Sequence, residues 1–533
     1  MRMGGRLTAI VSVAGSLAGL APAALGQTAE NPVKFDVSPA FRSIQPPARP
    51  QGAFFREHAV KKLPLPPEKL AALADTVLQR KATTRLPIGP IKAFQGIGRE
   101  NFSITSDPPD TNGSVGKTHY VQWVNTGIAV FDKATGNRLL GPVEGNLLWT
   151  GFGGNCERFN DGDPVVLYDK AADRWVLTQF AVTQAPFSEC IAVSTSPDPT
   201  GTYARYEYQY QDFNDYPKLG VWPDAYYGTF NMFQGNAFKG AKACAFERYK
   251  MLASQSAQMV CFDVANQGGL LPADLDGTSA PPAGAPNYLL NIGSNQLNLW
   301  KFHVDWTNPA SSTLTGPVAI KTSPFEIACR NAPIPGQCVK QPKTSETLDT
   351  LSDRLMFRLA YRKFNDHEAL AVNHAVVAGN SSGVRWYELR DPGGTPTVFE
   401  QGTYAPDAAF RWMASIAMDK AGNMLMGYSV SSPQISPGIR FTGRSASDPP
   451  NQMAIEQSAV AGKGSQNEPG TLGRLCEHER RPGGRLHLLV LHPIRLANRQ
   501  VQLEHVDRAR QVFELPIGGS VCRLMDRHRI PLS

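Results

Sequence analysis

Two aspartates and four aromatic residues stand close together between positions 215 and 227. Carboxyl groups can move protons to and from a glycosidic bond, and aromatic rings can stack on sugar faces. Asp215 and Asp224 are therefore candidate catalytic acids, and Trp222 is a candidate substrate-binding ring. The alternative is structural, because aspartates open turns and aromatic side chains fill β-sheet cores. The aromatic residues of the group are Tyr216, Trp222, Tyr226 and Tyr227.

A second polar group, between positions 354 and 388, combines arginines with a tyrosine and a glutamate. Alternation along a strand places Arg354 and Arg358 on one face, where two guanidinium groups could grip a carboxylate or sulfate. A nearby tyrosine or glutamate could act as nucleophile or base. The alternative is an ion-paired, solvated sheet face. The predicted substrate-binding residues are Arg354, Arg358, Arg385 and Trp386, and the predicted catalytic residues are Tyr361 and Glu388.

A third candidate is the pair Asp161 and Asp163, which stands beside glycine and asparagine. Hard carboxylate oxygens at this spacing could bind a structural Ca²⁺, although the pattern is not that of an EF-hand loop. The alternative is a turn that opens a strand. The sequence contains no nucleotide-binding glycine loop, GxSxG elbow or zinc motif, so we predict no other cofactor.

The elements that must position these residues are short strands of period two joined by tight turns, from about Asn101 to Gly462. Three turns share an Asp-Lys-Ala opening, at Asp132, Asp169 and Asp419, where the aspartate is expected to cap its own turn. With 48 glycines and 42 prolines in 533 residues, long helical bundles are excluded, and 19% charged residues exclude a disordered chain.

Hairpin blocks recur at intervals of roughly 40 to 70 residues, the range of a four-stranded propeller blade with its loops. We therefore predict an all-β fold, a six- or seven-bladed β-propeller at 101–462; an array of two-sheet sandwiches is the alternative. The blocks begin near Asp107, Asp163, Asp215, Asn287, Asp353 and Arg411.

Two stretches resemble blade-opening segments of secreted bacterial β-propellers of the sialidase-like or BNR type, most of them uncharacterised. They are Asp215 to Tyr227 and Asp353 to Arg362, the latter followed by Asp366-His367-Glu368 and Val384 to Glu388. The resemblance covers about Asp107 to Asn451 and implies the propeller fold. The S-x-D-x-G-x-T-W boxes of true sialidases are absent, so it does not imply sialidase activity.

The N-terminus predicts export. Arg2 and Arg6 precede an apolar stretch too short to span a bilayer, and Ala24-Leu25-Gly26 is a small-x-small cleavage site, so residues 1–26 are predicted to be a signal peptide. Residues 27–100 form a Pro-rich extension, with one short helix predicted at Pro67–Lys81. In an oxidising compartment six cysteines favour disulfides over a metal site, and neighbours in sequence are paired by proximity alone. The pairs are Cys156 with Cys190, Cys244 with Cys261, and Cys329 with Cys338.

The C-terminal segment, 463–533, differs from the rest of the chain. From Gly470 onward it holds 11 Arg, no Lys and 6 acidic residues, and it has no Trp or Tyr. Such a composition is what another reading frame of a GC-rich gene would give, so we predict that a frameshift replaced the true C-terminal strands. The alternative is an authentic basic tail that binds a polyanion.

Without this segment and the signal peptide the chain is close to neutral, which argues against nucleic acid as a partner. We predict a secreted, monomeric hydrolase of a polysaccharide or other polymer, with carboxylates, arginines and tyrosine at the propeller axis. A non-catalytic binding or scaffold propeller of the envelope or medium is the alternative. No membrane span is expected, since no later run of about 18 apolar residues exists.

Overall fold

The computed structural model describes residues 26–45, 61–66, 74–84, 94–98 and 110–466, with the backbone of two short strands beyond them. The predicted signal peptide, except Gly26, and the segment from 467 onward, except those strands, lie outside the described residues. Three short strands precede the main body of the chain: β1 (Gln27–Glu30), β2 (Lys34–Val37) and β3 (Leu78–Gln79).

The main body is all-β, and its strands follow one another in antiparallel groups of four, which we call sheets I to VI, although IV and V belong to one continuous nine-stranded sheet. Sheet I contains β4 (Thr111–Val115), β5 (His119–Val124), β6 (Gly127–Asp132) and β7 (Arg138–Glu144). Sheet II contains β8 (Val165–Asp169), β9 (Arg174–Ala181), β10 (Phe187–Ser194) and β11 (Tyr203–Tyr210). Sheet III contains β12 (Phe213–Val221), β13 (Tyr226–Gln234), β14 (Ala237–Phe246) and β15 (Met259–Val264).

The second half of the body repeats the pattern. Sheet IV contains β16 (Leu271–Asp276), β17 (Asn287–Gly293), β18 (Gln296–His303) and β19 (Thr313–Lys321). After a small hairpin of β20 (Gln337–Val339) and β21 (Leu348–Asp349), sheet V contains β22 (Met356–Lys363), β23 (Glu368–Ala378), β24 (Ser381–Arg390) and β25 (Thr397–Tyr404). Sheet VI contains β26 (Phe410–Met418), β27 (Met424–Ser431), β28 (Gly438–Arg444) and β29 (Gln457–Val460). The two strands beyond residue 466 are β30 (Leu489–Val490) and β31 (Arg510–Gln511).

The sheets form a propeller-like arrangement, and we call the first strand of each sheet its inner strand. These inner strands contact one another in chain order, from β4 through β8, β12, β16 and β22 to β26. Strands β16 and β22 even pair in parallel, with Ala273 opposite Leu359, which joins sheets IV and V. The N-terminal ends of β4, β8, β12 and β22 meet at one place, which we call the mouth, because Asp110, Asp163, Asp215 and Arg354 interact there.

Helices are few and short. The described helical segments are α1 (Gly154–Arg158), α2 (Arg248–Leu252) and the 3₁₀ turns Phe41–Ser43, Gly145–Trp149 and Pro309–Ser311. Among the described residues, we find no helix with both the length and the apolar character needed to cross a bilayer.

The N-terminal extension adds edge strands to three sheets. Strand β1 pairs with β15 and β2 with β11, both antiparallel, while β3 pairs in parallel with β25. The helix predicted at 67–81 is wrong for its described part, since Leu78 and Gln79 form β3. Tertiary contacts decide the conformation here, because the Gln79 side chain donates to Met453 O at 2.7 Å and its backbone pairs with sheet V.

The three predicted aspartate turns are confirmed. In each, an aspartate Oδ1 accepts a backbone N–H two or three residues later: Thr135 to Asp132 at 2.6 Å, Ala172 to Asp169 at 3.1 Å and Ala421 to Asp419 at 2.8 Å. Left-handed residues complete them, among them Gly136 and Gly422. Local chemistry thus fixes the hairpins that bring the strands back beside one another.

All three predicted cysteine pairs form disulfides. Cys156–Cys190 joins α1 to β10, and Cys244–Cys261 joins the paired strands β14 and β15. Cys329–Cys338 closes a short loop ahead of sheet V. The apolar core lies between the sheets; its largest part, which includes Tyr227, Leu289 and Val372, spans sheets III to V.

Candidate functional site

The N-terminal ends of the inner strands bring together a group of charged residues that we call the central cluster. Asp110 directly precedes β4, Asp163 precedes β8 by two residues, and Asp215 lies in β12. Asp110 and Asp163 adopt left-handed backbone, with φ of 36° and 44°, which aspartate tolerates better than most residues. The cluster consists of Asp110, Asp163, Asp215, Tyr216, Lys218 and Arg354.

Two of the carboxyl groups are hydrogen-bonded to each other. The Asp110 side chain bonds to that of Asp163, and Asn125 Nδ2 donates to Asp110 Oδ2 at 3.2 Å. Burial raises the pKa of Asp110 well above its usual value, and the neighbouring Asp163 raises it further. Since two close carboxylates repel each other, this pair holds a proton at pH values where isolated aspartates have lost theirs.

Asp215 is the third carboxyl group, 2% exposed, at a bulge of β12. Burial, and then the charge of Asp163, raise its pKa to about 7, while Arg354 opposes the rise. Its Oδ2 is buried and has no hydrogen-bond partner among the described residues. A carboxyl group with a pKa near 7 can give and take protons at neutral pH, which is the property of a general acid or base.

The cationic side of the cluster is built around the ring of Tyr216. Lys218 Nζ lies 3.7 Å from the ring centroid and the Arg354 guanidinium carbon 4.4 Å from it. Arg354 is held in place by Asp353, through Nε to Oδ1 at 2.8 Å and Nη2 to Oδ2 at 2.9 Å. Its Nη1 is buried and lacks a partner among the described residues, so one donor remains available to a ligand.

Glu189 lies behind the cluster, on β10 of sheet II. Burial raises its pKa to about 8, and the Asp163 charge acts in the same direction. Asn214 Nδ2 is close to one of its oxygens, at 3.3 Å, whereas Oε1 has no partner among the described residues. This glutamate extends the proton-holding region of the cluster into sheet II.

The other predicted catalytic residues lie elsewhere. Asp224 follows the far end of β12, roughly 20 Å from Asp215 at about 3.3 Å per strand residue. Burial raises its pKa to about 6, and its Oδ2 accepts from Tyr227 Oη at 3.3 Å. Because Asp215 lies near the start of β12 and Asp224 beyond its end, the two carboxyl groups cannot act on the same bond.

Tyr361 and Trp222 are core residues of sheets III to V. The two rings pack edge to face with centroids 4.7 Å apart, and Tyr361 Oη donates to Glu368 Oε1 at 2.6 Å. Trp222 Nε1 donates to Ala285 O at 3.1 Å. Trp386 is fully buried between sheets V and VI, so neither tryptophan presents a face to a substrate.

Two of the predicted substrate-binding arginines have structural partners. Arg358 donates from Nε to Asp274 Oδ2 at 2.8 Å and also pairs with Asp276. Arg385 donates to Thr403 Oγ1 at 2.6 Å and forms an ion pair with Asp75 at 2.7 Å. Of the predicted arginines, the structure brings only Arg354 into the central cluster.

Glu388 lines a separate cleft of about 500 Å³ between sheets V and VI. It accepts from Arg390 Nε at 2.7 Å and lies opposite Glu400 on the neighbouring strand. Arg444 pairs with Glu400, so the charges of this cleft are largely paired within it.

The candidate metal residues divide between two places. Asp161 serves as a turn cap, since Oδ2 accepts from Val182 N at 2.6 Å and Thr183 N at 2.7 Å. Asp163 belongs to the central cluster. Within the described ranges, no three His, Cys, Asp or Glu side chains are grouped as metal ligands would be.

Sequence reasoning missed Asp110, Lys218 and Glu189. A signal for the first was present, because acidic residues recur where the hairpin blocks begin, and Asp163, Asp215 and Asp353 all reach the mouth. Lys218 stands inside the stretch that resembles a blade opening. Nothing in the sequence distinguishes Glu189 from a surface glutamate.

Comparisons with known proteins do not assign the chain to a family. No family model matches the chain, and no curated protein matches it. An exo-β-1,3-galactanase from Clostridium thermocellum is 12% identical, covering 67% of this chain and 81% of its own, with a TM-score of 0.29. An α-L-arabinofuranosidase from Lactobacillus brevis is 10% identical, covering 64% and 92%, with a TM-score of 0.28. A Hadza microbial sialidase is 9% identical, covering 66% and 56%, with a TM-score of 0.23. At such values the likenesses say nothing about activity.

Proposed function

We propose that the protein is a hydrolase whose central cluster performs acid–base chemistry on a polymer, with a polysaccharide as the substrate class. The observation that carries this proposal is the convergence of Asp110, Asp163 and Asp215, from three successive inner strands, beside Lys218 and Arg354. Buried like charges with an adjacent cation are costly to assemble and typical of sites that move protons.

In this proposal Asp215 is the general acid, because its pKa of about 7 leaves it protonated in a substantial fraction of molecules at neutral pH. The Asp110–Asp163 pair receives a proton from water or from a substrate hydroxyl, and Arg354 Nη1 donates to a substrate oxygen. Lys218 stabilises negative charge that develops between the carboxyl groups. We do not assign Asp224, Tyr361 or Glu388 a part in this chemistry.

We further propose that sheets I to VI are six blades of one propeller, that the protein is exported as a monomer, and that the extension 27–100 clasps its rim. The six inner strands in chain order support the blade number. The three disulfides support an oxidising compartment.

The first prediction tests this proposal with Asp215→Asn, assayed by release of reducing sugar from a panel of polysaccharides. Loss of the general acid is expected to lower turnover by about 10²- to 10⁴-fold. Asp224→Asn removes another carboxyl group of raised pKa, which lies just beyond the end of β12, and it is expected to retain activity within a few-fold. Equal losses in both variants would contradict the assignment, and no activity of the wild type on any polymer would contradict the proposed function.

A non-catalytic binding propeller is the second candidate. The observation that favours it concerns the three predicted substrate-binding arginines. Arg358 and Arg385 bond to protein groups, and Arg354 keeps a donor that a polymer could take. For such a protein, Asp215→Asn would change the affinity for the polymer, and neither the wild type nor the variant would release product.

A further inference from the structure

A short segment of the N-terminal extension, residues 61–66, crosses the mouth at the central cluster; we call it the strap. The Lys61 backbone N–H lies close enough to the Asp215 carboxyl group to lower its pKa. Arg354 Nη2 donates to Lys61 O at 2.9 Å, and Leu63 N donates to Asp353 Oδ2 at 2.9 Å. Two main-chain groups of the strap are thus bound by side chains in or next to the proposed active site, and a third lies beside Asp215.

Side chains anchor the strap as well. Leu63 is 7% exposed and packs in an apolar pocket with Phe180, Val182, Phe213 and Phe233. The Lys61 ammonium lies 5.0 Å and 4.9 Å from the ring centroids of Phe213 and Phe233. Lys62 forms an ion pair with Asp349 at 2.5 Å.

The strap differs from the other described parts of the extension. Strands β1, β2 and β3 add to sheet edges through regular backbone ladders. The strap forms no strand in residues 61–66, and its backbone bonds go to acidic and basic side chains instead. Grooves that bind an extended peptide work in this way: polar side chains hydrogen-bond to the peptide main chain, and a pocket binds one of its side chains.

We infer that the mouth of the central cluster is a binding groove for an extended peptide, and that this chain occupies the groove in cis through its strap. The strap bonds to Arg354 and lies beside Asp215, the group we propose as general acid, so strap and substrate compete for one place. The inference rests on the proposed function only for that competition. The groove itself is defined by Asp353, Arg354 and the pocket around Leu63.

The test is binding of a fluorescent synthetic peptide spanning residues 58–67, measured by anisotropy. In the full chain carrying Leu63→Asp, which expels the strap from its pocket, we expect micromolar binding. The wild-type chain is expected to bind at least about 100-fold more weakly, because its groove is occupied. The same peptide with aspartate in place of Leu63 is expected not to bind. The full chain carrying Leu139→Asp, at a leucine 51% exposed on β7, is expected to bind the peptide as the wild type does.

Equal peptide binding by wild type and Leu63→Asp, or none by either, would overturn the inference. Leu63→Ala keeps the test available if the aspartate variant does not fold, since it weakens the anchor without burying a charge. Polysaccharide hydrolysis is measured in parallel and is expected to rise in both variants and to fall when peptide is added. Peptide binding without hydrolysis in any chain would reject the proposed function and leave the groove standing.

Discussion

At the scale of single residues, burial and pairing decide which charged side chains can do chemistry. Arg354 and Arg385 are both fully buried, yet Arg385 has its donors directed at Thr403, Asp75 and backbone oxygens. Burial raises the pKa of both Asp215 and Asp224, but of the two only Asp215 meets other carboxyl groups. Residue type and spacing could therefore nominate Asp215 and Arg354 as candidate site residues. For the other candidates, partners distant in sequence determine whether the side chain is free to meet a ligand.

Glu189 provides a second prediction, on stability against pH. Its pKa is about 8 in the folded protein and near 4.5 in the unfolded chain, so the folded state binds the proton more tightly. The resulting stability is fully present below about pH 4.5 and is lost as the pH rises through about 8, at about 1.4 kcal/mol per pH unit. Glu189→Gln removes the titration and is expected to melt above wild type at pH 9 but close to it at pH 4.

Scanning calorimetry at both pH values measures this difference. Glu326→Gln, at an exposed glutamate, is the matched control and should follow wild type throughout. A melting temperature of Glu189→Gln below wild type at pH 9 would show that the carboxylate is stabilised rather than strained in the fold.

Lys218 gives a third prediction, on the pH profile of activity. Its charge lowers the pKa of both Asp110 and Asp215. Lys218→Met is therefore expected to raise the pKa of the Asp215 acid and to move the alkaline limb of the kcat/KM profile to higher pH. If the alkaline limb stays in place or moves to lower pH, the charge of Lys218 does not lower the pKa of the catalytic acid.

At the scale of elements, the hairpins were predictable and the extension was not. The turns at Asp132, Asp169 and Asp419 depend on side chains within four residues, so local sequence suffices. Strand β3 depends on Thr403 and Met453, more than 300 residues away, and its apolar spacing alone predicted a helix. The neighbour pairing of the cysteines succeeded because each pair lies within or beside one sheet.

The disulfides give a fourth prediction, because a crosslink that closes a longer loop restricts the unfolded chain more. The sequence separations are 34 for Cys156–Cys190, 17 for Cys244–Cys261 and 9 for Cys329–Cys338. Replacing each pair by alanine is expected to destabilise in that order, with about 1 kcal/mol between the extremes. Calorimetry of the three double variants checks the order, and a reversed series would contradict it.

At the scale of the whole molecule, the inner strands follow one another but do not visibly return to their start. Strand β4 packs on β8 and β26 packs on β22, and within 110–466 no comparable contact joins β4 to β26. The face of sheet I turned away from sheet II is apolar, with Val115, Tyr120 and Phe131 packed on Phe94. The face of sheet VI that points away from sheet V carries Leu425, Ile439 and Phe441. Periodicity predicted the repeated sheets, but not how the ends of the series meet.

These two apolar faces bear on the predicted frameshift and give the last prediction. The residues after 466 are numerous enough to form a further four-stranded sheet packed against these faces, as sheet I needs only 111–144. We expect resequencing of the gene across the codons for 464–473 to show a displaced frame. The chain with the restored frame is then expected to melt at least about 5 °C above a chain ending at residue 466. The chain with the Arg-rich segment serves as control and should melt close to the shortened one. An intact frame, or equal melting of all three chains, would mean that sheets I to VI carry their stability without another sheet.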